Sequence, residues 1–266
     1  MKHLFTAWDD LADACRAADR VLVLADYDGT LTPIVSRPEE AILSEEMRYR
    51  LILLASVPSV SVGVISGREL MDVESLVAIG GLYYAGNHGL EIDGPGYHYL
   101  NPEAERTRPL FHELAGKLQN ALAGIEGIVL QDKELSLSVH YRLVGAEREA
   151  EVERIVRDLV EPLVAEGKAR LQPGKKVWEI RPPVDWHKGR AVGVIREEVA
   201  REFSAANLLT IFLGDDVTDE DAFKAVVPPE GWSVYVGVPP PASAAPYYLE
   251  NVTEVGELLD RLTGLD

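Results

Sequence analysis

An α/β fold is predicted here: a Rossmann-like parallel-sheet core interrupted by a smaller inserted α/β domain. Three observations carry it. Unbroken apolar runs alternate with helical patterns. Several of those runs end in short polar motifs. Between them lies a self-contained segment with the order α-β-β-α-β-β.

The first run, 21–25 (Val-Leu-Val-Leu-Ala), has no polar alternation, as expected for a central parallel strand covered on both faces. The runs 61–65 and 208–213 read the same way, each followed by polar residues and then a helical pattern. A further strand is predicted at 82–85. Ligands of open α/β sheets bind outside the carboxyl ends of the strands, so three strands deliver three polar motifs to one edge. The middle of the chain gives a helix at 103–122, strands at 128–131 and 135–141, a helix at 147–164, and strands at 169–172 and 176–180. We therefore expect an inserted cap domain over 100–185 and a core built from 1–99 and 186–266. Asn101-Pro102 and Arg181-Pro182-Pro183 mark its edges, because proline interrupts regular structure. The core resumes with a helix starting near Lys188.

Composition narrows the partners. The 266 residues carry 44 acidic and 26 basic side chains, a formal net charge of −18. That balance argues against nucleic acid and anionic membranes, which demand clustered Lys and Arg. No apolar run approaches the roughly 20 residues that span a bilayer. Asp9, Asp10 and Asp13 near the start do not fit a signal peptide. Cys15 is the one cysteine, which excludes an internal disulfide and a multi-cysteine zinc site. A cytoplasmic protein is expected.

The first polar motif is Asp26-Tyr27-Asp28-Gly29-Thr30-Leu31-Thr32, directly after the first strand. Two carboxylates two residues apart suit Mg²⁺, a hard cation that takes carboxylate and phosphate oxygens. One of them could also act as a nucleophile through an aspartyl-phosphate. An Asp-Gly turn leaving a strand is the plainer alternative. Ser66-Gly67-Arg68 follows the second strand, where Ser66 could simply cap a helix. Lys188 could be an ordinary exposed lysine at a helix start. Gly214-Asp215-Asp216-Val217-Thr218-Asp219-Glu220 could be an acidic cap on a helix dipole. That last alternative leaves unexplained why a second acidic motif ends another strand, so jointly the metal reading is favoured.

These four motifs, in this order, resemble the haloacid-dehalogenase superfamily of phosphotransferases. Arg68, the GDDVTDE stretch, Gly86-Asn87-His88-Gly89 and Gly174-Lys175-Lys176-Val177-Trp178-Glu179-Ile180 resemble its trehalose-6-phosphate phosphatase branch. The resemblance spans residues 21 to 220. It implies Asp26 as nucleophile and Asp28 as general acid and base. It implies Mg²⁺ held by Asp26, the Asp28 carbonyl and Asp215, with Asp219 and Asp216 supporting from behind. Thr30, Ser66 and Lys188 would bind the phosphoryl oxygens. The implied reaction is hydrolysis of trehalose-6-phosphate to trehalose, the last step of trehalose biosynthesis, and the implied protein partner is a trehalose-6-phosphate synthase.

Sugar contacts are expected from Arg68, Asn87, His88, Lys133, Arg142, Lys175 and Glu179. Even spacing along an extended strand would put Lys175 and Glu179 on one face. Trp178 reads as cap core, and His88 could equally be a structural histidine. The residues alone leave other readings open: a phosphatase of glucosylglycerol phosphate or sucrose phosphate, a phosphomutase, or a non-catalytic phosphosugar-sensing module. Intact Asp26, Asp28, Lys188 and Asp215 argue against the last. Charge is unevenly spread, with 13 basic and 15 acidic side chains between residues 100 and 185 and the excess acidity on the core.

Overall fold

The computed structural model describes residues 1–35 and 37–265 and divides into two units, Met1–Tyr99 with Trp186–Asp266 and Leu100–Asp185. The first segment supplies strands β1 (Lys2–His3), β2 (Arg20–Ala25), β3 (Val60–Ile65), β4 (Tyr83–Gly86), β5 (Glu91–Gly94) and β6 (Tyr97–Leu100). Helices α1 (Trp8–Ala17), α2 (Glu45–Ala55) and α3 (Leu70–Val77) lie between them. The inserted unit runs α4 (Pro102–Leu122), β7 (Val129–Asp132), β8 (Leu137–His140), α5 (Glu149–Ala165), β9 (Arg170–Pro173) and β10 (Val177–Arg181). The chain then adds α6 (Lys188–Phe203), β11 (Leu208–Gly214), α7 (Glu220–Ala225), β12 (Gly231–Val236), β13 (Tyr247–Leu249) and α8 (Val252–Thr263).

The larger sheet has the order β1-β13-β12-β11-β2-β3-β4-β5-β6. Its centre is parallel: β11 pairs with β2, β2 with β3, and β3 with β4. The parallel reading of the centre stands, and the sheet continues beyond it into an antiparallel pairing of β4 with β5. Alternation explains why the central runs contain no polar break. Along β2, Val21, Val23 and Ala25 enter one hydrophobic layer with Leu11, Leu51, Val73 and Leu258 from the helices of that face. Leu22 and Leu24 enter the other, against Val192, Ile195 and Val199 of α6. Both faces are thus removed from water, which a parallel sheet requires.

The smaller sheet has the order β7-β8-β10-β9 and is antiparallel throughout. Phe111, Leu118, Val152, Val156 and Trp178 share its core, so Trp178 packs inside as the sequence suggested. Asn101-Pro102 turns out to start α4 rather than to form a loose linker. The Asn101 side chain accepts from Glu103 N–H at 3.1 Å and from Ala104 N–H at 3.0 Å. Proline at the first helical position loses no hydrogen bond there. No helix among the described residues is long and apolar enough to cross a membrane.

Phe212 sits in β11, fully buried and edge-on to Phe223 at 5.7 Å. Truncating it to alanine should cost about 3–5 kcal/mol in urea unfolding, and a loss below about 1 kcal/mol would contradict this packing.

Candidate functional site

The ends of β2 and β11 lie side by side, since Ala25 pairs with Leu213. Asp26 N–H continues that ladder onto the Leu213 carbonyl at 2.9 Å. Asp26 and the loop 215–219 therefore leave the sheet at the same level. The Gly29 turn is left-handed (φ +88°), and a Cβ there would lie 2.3 Å from an Asp215 carboxylate oxygen. Only glycine permits that approach.

Carboxylate oxygens of Asp26, Asp215 and Asp219 fall within 4.8 Å of one another. The Lys188 ammonium, from the first residue of α6, donates to Asp26 Oδ1 at 2.5 Å and to Asp219 Oδ1 at 2.6 Å. Lys188, Asp26 and Asp219 are all buried. The second Asp219 oxygen accepts the backbone N–H groups of Asp215 and Asp216, each at 3.1 Å. Asp219 is thus a full member of the cluster, whereas Asp216 caps the turn at Val217–Asp219, accepting from Val217 N–H at 2.8 Å.

Burial pushes the Asp26 carboxyl well above the usual range; Lys188 draws it down, and Asp219 and Asp215 push it up again. Burial also opposes the Lys188 charge, yet Asp219 and Asp26 together raise the ammonium above its ordinary value. Two of the three carboxylates pair with Lys188, so the cluster carries excess negative charge among the described residues. An all-oxygen donor set with excess negative charge fits a hard divalent cation such as Mg²⁺ and does not fit a soft metal.

Thr30 is fully buried, and its hydroxyl has no hydrogen-bond partner among the described residues. Ser66 is also buried; its Oγ accepts from Arg68 N–H at 3.1 Å. Asp28 has a different cationic partner, Arg68. Arg68 Nε donates to Asp28 Oδ2 and Arg68 Nη2 to Asp28 Oδ1, both at 2.8 Å. Asn87 and His88 follow β4 in left-handed conformations (φ +51° and +58°). Asn87 N–H donates to the Arg68 carbonyl at 2.6 Å, and a Cβ on Gly67 would meet the His88 ring at 2.7 Å. The core therefore gathers Ser66, Arg68, Asn87 and His88 around one loop.

The inserted unit distributes its four expected residues differently. Arg142 donates to the Lys175 carbonyl at 3.3 Å, so these two are neighbours. Lys133 lies in the turn joining β7 and β8, at the end where Leu137 pairs with Ile180. Arg142 and Lys175 lie beyond the opposite end, where His140 pairs with Val177. Glu179, on β10, is paired with Arg181. The expectation that Lys175 and Glu179 share a strand face fails. Strand β10 begins only at Val177, and Lys176 is left-handed (φ +66°), so Lys175 belongs to a tight turn outside the two-residue period.

Sequence reasoning overlooked Asp72 and the Pro38 carbonyl, which accept from Arg68 at 3.0 and 2.7 Å. The spacing of Arg68 and Asp72 by four residues, where α3 begins, was the available signal for the first. The second comes from a distant loop and had none.

A parallel sheet whose central strands feed a lysine-bridged carboxylate cluster defines a haloacid-dehalogenase-like architecture. A haloacid dehalogenase-like hydrolase from Bacteroides thetaiotaomicron shares this fold with a TM-score of 0.62, covering 91% of this chain and 99% of that one at 18% identity. Residues 24–252 match the trehalose-phosphatase family model, and the chain belongs to that family. It is 36% identical over 269 residues to probable trehalose-phosphate phosphatase D of Arabidopsis thaliana, covering 97% of this chain and 70% of the relative. The C-terminal domain of C. albicans trehalose-6-phosphate phosphatase superposes with a TM-score of 0.79 at 25% identity, with 97% of each chain covered.

Replacing Lys188 with methionine leaves Asp26 and Asp219 buried without their cation. Removing one partner of such a group should destabilise the fold by about 3–5 kcal/mol at neutral pH, read by urea unfolding. An unchanged midpoint would show that the triad is not under charge stress.

Proposed function

We propose that the chain hydrolyses trehalose-6-phosphate to trehalose and inorganic phosphate, in trehalose biosynthesis, through an aspartyl-phosphate on Asp26. The observation that carries this reading is the buried Lys188 bridge between Asp26 and Asp219, in a chain of the trehalose-phosphatase family.

In the first step an Asp26 carboxylate oxygen forms a bond to phosphorus while the bond from phosphorus to the sugar oxygen breaks. Asp28 gives its proton to that leaving oxygen. In the second step water attacks phosphorus and passes a proton to Asp28, and the Asp26–phosphorus bond breaks to release phosphate. Asp26, Asp215 and the Asp28 carbonyl would hold Mg²⁺, with Asp219 beside them in the same cluster and shared with Lys188, and Asp216 supporting them through the turn it caps. When bound, this ion supplies positive charge against the phosphoryl oxygens. Lys188 contributes a fixed ammonium, and Thr30 and Ser66 offer hydroxyl donors at the same oxygens. The partnerless Thr30 hydroxyl supports this assignment, because a buried donor without an acceptor carries a desolvation cost that a phosphoryl oxygen relieves.

Within the larger unit we assign sugar contacts to Asn87 and His88; within the inserted unit we assign substrate selection first to Arg142 and Lys175, which are neighbours, while Lys133 at the other end of its sheet and Glu179 beside Arg181 rest on the family resemblance. The enzyme class that supplies the substrate, a trehalose-6-phosphate synthase, is the protein partner this chemistry favours. Cytoplasmic residence is supported by the single buried cysteine, which leaves no structural disulfide to protect.

Phosphate release from a panel of sugar phosphates in the presence of Mg²⁺ tests the reading. Trehalose-6-phosphate should lead, and a preference of about tenfold or more for another sugar phosphate would overturn the substrate assignment. Asp26→Asn, folded by circular dichroism, should release no phosphate; retained turnover would remove Asp26 as nucleophile. For Thr30→Val, stability should hold within about 1 kcal/mol while turnover drops by about tenfold or more. The opposite pattern would make the hydroxyl structural.

A further inference from the structure

Arg68 spends its donors on the protein. Its Nε and Nη2 take both oxygens of Asp28 at 2.8 Å, in the planar fork-to-fork pairing that fixes a carboxylate in orientation as well as position. Nη2 also reaches the Pro38 carbonyl at 2.7 Å, and Nη1 reaches Asp72 Oδ2 at 3.0 Å. Four of the five guanidinium hydrogens are thereby engaged. The Arg68 side chain is 9% exposed, whereas those of Asp28 and Asp72 are 44% and 45% exposed. The cation is thus the buried, fixed partner and the carboxylates are the groups it restrains. Its guanidinium lies 5.3 Å from the centre of the Tyr27 ring, and Tyr27 is itself anchored by its hydroxyl to the Ala41 carbonyl at 2.8 Å. The backbone is held as well: Arg68 N–H donates to Ser66 Oγ, and the Arg68 carbonyl accepts from Asn87 N–H.

We propose that Arg68 is a positioning residue for Asp28 and not a contact to the sugar phosphate. A phosphate or hydroxyl that engaged its fork would have to displace a carboxylate already held bidentately. Without Arg68, a half-exposed aspartate on a loop would sample several rotamers, few of them suited to delivering a proton to the leaving oxygen or taking one from water. Asp72 and the Pro38 carbonyl act one step further out, by fixing the guanidinium. The inference rests on the acid–base role given to Asp28 above.

The test is steady-state kinetics on trehalose-6-phosphate with Arg68→Lys, Arg68→Gln and Asp72→Asn, alone and combined with Asp28→Asn. A positioning role acts on the transition state, so kcat should fall by about 10- to 100-fold in both Arg68 variants while KM stays within about twofold. Lysine should rescue little, since it keeps the charge and loses the fork. Asp72→Asn should lower kcat by only a few-fold, about two to five, again at constant KM. Arg68→Gln combined with Asp28→Asn should be no slower than Asp28→Asn alone. A KM raised about tenfold or more with kcat preserved, or losses that multiply in the double variant, would make Arg68 a substrate contact and overturn the proposal. If the Arg68 variants melt early, Asp72→Asn decides in the same way, because it leaves both Arg68 and Asp28 in place. Should Asp28→Asn itself keep full activity, the acid–base role fails and this inference falls with it. That outcome is distinct from an inactive Asp28→Asn accompanied by KM effects at Arg68.

Discussion

The ammonium of Lys188 is the interaction on which the rest of the core depends. It joins three points of the chain that are far apart in sequence: the exit of β2 at Asp26, the start of α6, and the turn after β11 at Asp219. Burying an ammonium is costly unless close carboxylates surround it, and two lie within 2.6 Å. The same crowding dictates local backbone chemistry. A Cβ on Gly214 would fall 2.4 Å from the Asp219 carboxyl carbon, and one on Gly29 would collide with Asp215. Both glycines therefore make room for carboxylates of the cluster, Gly29 for Asp215 and Gly214 for Asp219.

Asp26 and Asp28 are two residues apart and live in different environments. Asp26 is 6% exposed, sits in the carboxylate cluster and is restrained by Lys188. The Asp28 side chain is 44% exposed and restrained by Arg68. Separate environments are how one loop can present two carboxyl groups with different chemical duties. A nucleophile gains from being fixed, dry and close to positive charge. A group that exchanges protons with a leaving alcohol and then with water gains from an open side. The intervening Tyr27 is buried, and the two carboxylates it separates are held by different cations, Asp26 by Lys188 and Asp28 by Arg68.

Much of this was legible in the sequence for a physical reason. Central parallel strands must be apolar on both faces, so β2, β3 and β11 announce themselves as unbroken runs, and their ends fix where the motifs gather. The alternation of strands and helices in 100–185 was legible for the same reason of period. Other strands were not: β1 has two residues, and β12 mixes Gly, Trp, Ser and Tyr in a way no period isolates. Within the site, Asp26, Lys188 and Asp215 were readable from motif order. The pairing of Arg68 with Asp28 was not, since it depends on side-chain direction across a fold-dependent gap. The positive φ angle at Lys176 accounts for the misplacement of Lys175 relative to Glu179, because it interrupts the strand period on which same-face reasoning relies.

A net charge of −18 and an anionic substrate are compatible once distance is considered. Between residues 100 and 185 the basic and acidic side chains number 13 and 15, so the acidity belongs mainly to the rest of the chain. Exposed carboxylates there act through water and salt, and beyond about 8–10 Å their influence at physiological ionic strength is largely screened. Lys188 is buried and little screened, as are Asp26 and Asp219 beside it. The field at this end of the sheet is therefore set within a few ångströms, by the Lys188 ammonium and the neighbouring carboxylates. The overall acidity then disfavours large polyanions, while the buried cluster would receive the phosphoryl group that every small phosphate ester shares.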